Sequence, residues 1–201
     1  MPVYITNIHT RQASNPLTRL PGPATVALNP FTADPTSAVR QISVRVTRPE
    51  PGRLVLEYDL QGDLARVRIP AAGAGPSEGR SDGLWRHTCM EVFVSPALPG
   101  PYLEFNLAPG GQWAAYRFSG YREAMAPLTA IRPPRIETQT ESGALLLSAD
   151  ITLPAELAGA GLQLGIAAVV ENAQGQLGYW ALRHAGARPD FHHPDGFELE
   201  I

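Results

Sequence analysis

Glu91 and Glu104 lie in two strand-like segments, LWRHTCMEVFVSP and YLEFNLAPGG, that a short turn near Ala97–Leu98 would fold against each other. Side chains directly opposite across such a hairpin stand about 4.5–5.5 Å apart at Cβ, so the two carboxylates become neighbours, opposite or diagonal. Paired carboxylates can accept hydroxyl hydrogens from a polyol. They can also cleave a glycosidic bond at separations of roughly 5–9.5 Å. Asn106 adds an amide, and Arg117, in the next segment QWAAYRF, adds a guanidinium. Trp85, Phe93, Tyr102 and Trp113 supply aromatic surface. Sugars suit this mixture, because their C–H faces stack on rings while their hydroxyls pair with charged groups.

Positioning these groups requires three successive strands whose side chains alternate between faces. Met90, Val92 and Val94 alternate with Glu91 and Phe93, and Leu103, Phe105 and Leu107 alternate with Tyr102, Glu104 and Asn106. In the third segment Trp113, Ala115 and Arg117 alternate with Ala114, Tyr116 and Phe118. The expectation is one apolar face and one site face carrying Glu91, Tyr102, Glu104, Asn106, Trp113 and Arg117. Arg117 would lie against Glu104, an arrangement that suits a guanidinium fork. A surface ion-pair cluster that binds nothing is the plain alternative. The aromatics argue against it, since exposed apolar patches mark binding sites.

At 201 residues the chain suits one domain, 1–201, with 1–40 as an extended arm and first strands. Hydrophobic residues make up 44% and charged residues 17%, with a net charge of −3, so no basic patch for nucleic acid is expected. All 16 cationic residues are Arg, which excludes chemistry needing a lysine. The single cysteine, Cys89, cannot form an intrachain disulfide. No stretch approaches the roughly 20 apolar residues of a membrane helix. The N-terminus MPVYITNIHTRQ lacks the pattern of a signal peptide, so the expectation is a cytoplasmic protein, monomeric or weakly homo-oligomeric.

Alternating segments at 41–48, 53–60 and 65–69 read as strands, and the nearly continuous apolar runs at 144–152 and 162–171 read as buried ones. Segments 177–184 and 197–201 add two more; SGYREAMAP reads as a short helical turn and 71–83 as an irregular Gly/Ala/Pro/Ser loop. About ten short strands with little helix predict an all-β chain, a single antiparallel β-sandwich of jelly-roll or immunoglobulin-like type.

The run from Trp85 through YLEFNLAPGGQWAAYRF resembles the family 9 carbohydrate-binding modules, within the DOMON-like superfamily of β-sandwiches. The tail YWALRHAGARPDFHHPDGFELEI is similar to a bacterial subgroup of DOMON-like proteins. The resemblance spans Leu54 to the C-terminus. It implies two Trp residues clamping a sugar, with Trp85 as the first and Trp180 as the second. It further implies that Glu91, with Arg117 and Asn106, takes the hydroxyls. A saccharide or similar polar small molecule is the implied partner, bound without catalysis. A structural calcium also belongs to that resemblance, although no Asp-rich ligand loop is visible.

Two other readings stand beside it. DOMON-like relatives also include b-type haem modules, which would use Met90 with His184, His192 or His193. Against that, Met90 has the phase of a core residue, so no haem is expected. The second is a glycoside-active enzyme using Glu91 and Glu104. Asp190, His192 and His193 could ligate a metal, but turn-capping beside Pro189 and Pro194 explains them more simply.

Overall fold

The computed structural model describes residues 17–20, 22–34, 37–70 and 79–201. The apolar piece Val3–Ile5 and residues 71–78 of the expected loop lie outside them. Thirteen strands follow in chain order: β1 (Thr18–Arg19), β2 (Ala24–Pro30), β3 (Val39–Glu50), β4 (Arg53–Gly62), β5 (Cys89–Ser95), β6 (Tyr102–Leu107) and β7 (Trp113–Phe118). After them come β8 (Ala126–Pro127), β9 (Arg135–Glu141), β10 (Ala144–Thr152), β11 (Gln163–Glu171), β12 (Leu177–Ala181) and β13 (Phe197–Glu200). Helix is confined to four single 3-10 turns among the described residues. The all-β sandwich expected from the alternation is what forms.

One layer runs β8-β7-β6-β5-β11-β12 and the other β2-β3-β4-β10-β9. β2 joins them, pairing with β3 along 24–28 and with β12 at Asn29 and Pro30. β13 extends β11 beyond β12, and β1 pairs with it in parallel, while the other strand pairs are antiparallel. Between the layers lies the main core, which includes Ile42, Leu56, Leu60, Met90, Val92, Phe105, Leu107, Leu147 and Ile166. Each such large side chain contributes about 1.5–3 kcal/mol by leaving water. Close approach of β3 and β4 requires Gly62, where a Cβ would stand 2.1 Å from the Ala38 oxygen.

The first layer is covered on its outer face as well. Phe93, Tyr102, Ala114, Tyr116, Phe118, Ala167, Ala181 and Phe197 form a second apolar cluster there. Every residue of β5 and β6 is consequently buried. That double burial explains why charged residues on these strands cannot be ordinary surface residues.

Two segments differ from expectation. Residues 65–69 do not form a strand. Hydrogen bonds from the Arg66 and Val67 amides to the Asp63 and Leu64 carbonyls close a 3-10 turn, leaving Val67 only a single bridge to Asn172. The SGYREAMAP segment is not helical; the Glu123 amide returns to the Gly120 carbonyl and the Ser119 amide to the Glu123 carbonyl. The chain then re-enters the sheet as β8.

Candidate ligand-binding cleft

The floor of the site is built by the β5–β6 hairpin. Its loop is tied by the Ser95 hydroxyl, 3.0 Å from the Pro101 carbonyl oxygen. The resulting register pairs Glu91 with Asn106 and Phe93 with Glu104, so the two carboxylates are diagonal neighbours on one face. The Cys89 thiol is 3.6 Å from Asn106 Oδ1, and Asn106 Nδ2 donates to Glu104 Oε1 at 2.5 Å. The Tyr58 hydroxyl crosses from the other layer and donates to the Glu91 carbonyl at 2.9 Å, which fixes the backbone beneath the site. Glu91 Oε1 is buried without a hydrogen-bond partner among the described residues. A buried polar atom left unpaired costs about 1–3 kcal/mol, so this one is a finding in need of a cause.

Burial pushes both carboxyls up, and their mutual repulsion adds to the effect on Glu91. Glu104 is raised to about 7, its burial only partly offset by the Asn106 hydrogen bond and the Arg122 charge. Glu91 is raised well above the carboxylate range. Near neutral pH the pair therefore retains protons, as like charges in a shared low-dielectric site must.

Around this floor is a cleft of about 520 Å³, within the range of small-ligand sites. Trp85 enters from the 3-10 turn Leu84–Arg86, its ring edge-on to Tyr116 at 5.7 Å. Tyr179 comes from β12, and Phe191 and His192 come from the tail that folds over the sheet. Phe118 and Met125 complete the apolar wall, and Arg86 stands at the edge.

Arg122 was not singled out by the sequence, yet it lines the same cleft and its charge acts on both carboxyls. Its φ of 56° is in the left-handed region that non-glycine residues rarely adopt, and Ala124 shares that conformation. The tight turn after β7 enforces it. Arg122 Nη2 and Nε donate to Asp190 Oδ1 at 2.8 and 3.2 Å, and its amide donates to the Tyr102 hydroxyl at 3.2 Å. That leaves the Tyr102 hydrogen for His192 Nδ1, 2.8 Å away. His192 Nε2 then faces Glu104 Oε2 at 3.8 Å. Burial, together with the Arg122 charge, lowers His192 to about 4, so it is neutral.

Trp85, Glu91, Glu104 and the Arg122 group share this cleft, with Tyr102 and Asn106 packed beneath them. Three expected residues are elsewhere. β6 and β7 pair Leu103 with Arg117 and Leu107 with Trp113, which puts Arg117 and Trp113 on the face opposite Glu104. The expected contact of Arg117 with Glu104 is therefore wrong. Arg117 instead reaches solvent and pairs with Glu156 at 2.7 Å. Trp113 packs into the interlayer core. Trp180 points into that same core beside Ala168, and its neighbour Tyr179 takes the cleft side. We predict that Arg117→Ala changes stability by less than about 1 kcal/mol, as for an exposed pair. A matched urea-denaturation curve checks this, and a loss several times larger would contradict the placement.

Asp190, His192 and His193 do not converge. Asp190 is held by Arg122 and Tyr121, His192 sits among aromatic rings, and His193 caps the Asp195 amide at 3.2 Å. No group of three or more metal-ligating side chains occurs among the described residues. Met90 is wholly buried between the layers, on the far side of the sheet from His192. His184 bonds the Asn29 carbonyl at 2.9 Å. The Met–His arrangement required for haem is therefore not formed by these residues.

No protein-family model matches the sequence, and no curated protein matches it at a significant level. Solved structures do share the fold. A candidate carbohydrate-binding protein from Bacteroides uniformis superposes with a TM-score of 0.64 at 17% identity, covering 89% of this chain and 86% of that one. A family 9 carbohydrate-binding module from Caldicellulosiruptor kristjanssonii, in complex with cellotriose, gives a TM-score of 0.52 at 10% identity. The coverage there is 89% of this chain and 81% of the module. The chain thus has a fold like that of carbohydrate-binding modules.

Proposed function

We propose that the protein binds a carbohydrate or similar polyol in this cleft and does not transform it. The observation that carries the reading is the unpartnered Glu91 Oε1 at the floor of a cleft walled by Trp85, Tyr179 and Phe191. A hydroxyl would satisfy that oxygen while the sugar's C–H face covers a ring. The carboxyls can serve as donors or acceptors, because they retain protons near neutral pH. The shared fold with carbohydrate-binding proteins supports the reading.

The raised Glu104 favours one second reading, glycoside hydrolysis, in which a protonated carboxyl acts as general acid. Geometry weighs against it. Hydrolysis uses carboxyls flanking the scissile bond, whereas Glu91 and Glu104 project from adjacent strands toward one side of a ligand. Titration calorimetry against glucose, galactose, mannose, their amino and N-acetylamino derivatives, and cello-oligosaccharides tests the binding reading. Assays with the corresponding aryl glycosides test the other. Binding without turnover is expected; no binding at millimolar concentration would end the carbohydrate reading, and turnover lost in Glu104→Gln would establish hydrolysis.

A further inference from the structure

We propose that the ligand of this cleft carries a protonated amine, as an amino sugar does, and that its ammonium seats between Glu91 and Glu104. The inference deepens the carbohydrate reading and rests on it for the sugar, but the ammonium follows from the floor itself.

Two carboxyls, Glu91 only 3% and Glu104 only 4% exposed, share the floor, and the one guanidinium whose charge acts on both is that of Arg122. That guanidinium is committed to Asp190 through two hydrogen bonds. His192, 3.8 Å from Glu104, is neutral and has its Nδ1 occupied by the Tyr102 hydroxyl. Asn106 donates to Glu104 and leaves Glu91 Oε1 bare. A neutral hydroxyl could pair with that one oxygen. A further cation lets both carboxyls ionise together, because Arg122, shared with Asp190, leaves both still shifted upward.

The other titratable groups near the pair do not supply it. Cys89 and Tyr58 are buried neutral groups below, Tyr102 and Tyr116 are phenols held up by burial, and Asp190 is anionic. Arg86 stands at the exposed edge, where solvent screens it. The aromatic lining of Trp85, Tyr179 and Phe191 suits an ammonium and its polarised C–H groups.

Proton exchange follows from this arrangement. The protons that the pair retains near pH 7 are displaced by the incoming ammonium, so binding an amine releases protons and tightens as pH rises from 5.5 to 7.5. A neutral hexose does neither.

The experiment is calorimetry at pH 5.5 and 7.5, in two buffers of different ionisation enthalpy. It compares glucosamine with glucose, galactosamine with galactose and mannosamine with mannose, with the N-acetyl derivatives and choline as controls. We expect at least one amino sugar to bind 10-fold or more tighter than its parent hexose at pH 7.5. Its N-acetyl form should lose that gain, with net proton release on amine binding. Glu91→Gln, checked for native folding by circular dichroism, should bring the amine and its parent hexose to equal affinity; a preference that survives the substitution would overturn the seat between the two carboxyls. Parent and amine binding equally would overturn the amine inference and leave the carbohydrate reading intact. Choline binding with no sugar would keep the ammonium site and end the carbohydrate reading. No binding by any probe would end both.

Discussion

His192→Gln is expected to lose on the order of 3 kcal/mol of stability between pH 4.5 and 7.5, a slope absent from most of the wild-type profile. Glu104 has a folded pKa of about 7, raised from an ordinary 4.5 by burial. Its contribution is therefore fully present below pH 4.5 and lost as pH rises through 7. Glu91 is shifted in the same direction and deepens the fall. His192 works in the opposite sense: its folded pKa of about 4 lies below the ordinary 6.5, so its contribution is present above 6.5 and lost as pH falls through 4. In the wild type the two trends offset each other between pH 4.5 and 6.5, and a net fall remains only above that. Asp190 and Glu171, held low in the folded protein, act below the window. Gln at 192 retains an acceptor for the Tyr102 hydroxyl while removing the titration. Urea unfolding across this range measures the effect. A flat or rising profile for His192→Gln would show that the buried carboxyls are not held protonated.

The second large effect concerns the two tryptophans assigned to sugar contact from the sequence. Trp85→Ala is expected to weaken saccharide binding about 30-fold, because covering ~80 Å² of ring at about 25 cal/mol per Å² is worth about 2 kcal/mol. Folding should survive, since Trp85 sits half-buried on a 3-10 turn at the margin of the outer apolar cluster, its ring against Tyr116. Trp180→Ala should do the reverse. Trp180 is 6% exposed and packs between the layers, so its removal should cost about 3–5 kcal/mol of stability. Affinity of the folded fraction should stay unchanged. Calorimetry and thermal unfolding on both variants separate the roles, and strong binding by Trp85→Ala would remove the aromatic wall from the account.

The strands were legible because alternation and apolar runs are direct consequences of two-sided burial. Glu91, Glu104 and Asn106 could be grouped because a single hairpin sets their phase. Arg117 and Trp113 could not be placed the same way. Phase in β7 depends on how the 108–112 turn closes, with the Ala108 amide bonded to the Gln112 carbonyl. Placing Arg117 on the polar face assumed that charge marks that face. Arg117 in fact lies one residue before the end of its strand, exposed and paired with Glu156. Trp180 and Tyr179 are adjacent, so a one-residue phase decides which of them meets the cleft. Arg122 and His192 lie in a turn and a tail, where no periodicity exists to read. A basic residue just beyond a strand bearing the site was the only sequence signal for Arg122.

Three indole N–H resonances offer the most direct test of where a ligand sits, because the chain has three Trp residues in three surroundings. Trp85 lines the proposed cleft, Trp113 lies in the core, and Trp180 borders a separate depression near Pro30 and Phe31. Nitrogen-15 correlation spectra recorded during titration with glucose, glucosamine and cellotriose report each of them separately. At least one of these sugars should shift the Trp85 resonance progressively while Trp113 and Trp180 stay fixed. Movement of Trp180 with Trp85 unchanged, or no movement of Trp85 with any of the three, would contradict it.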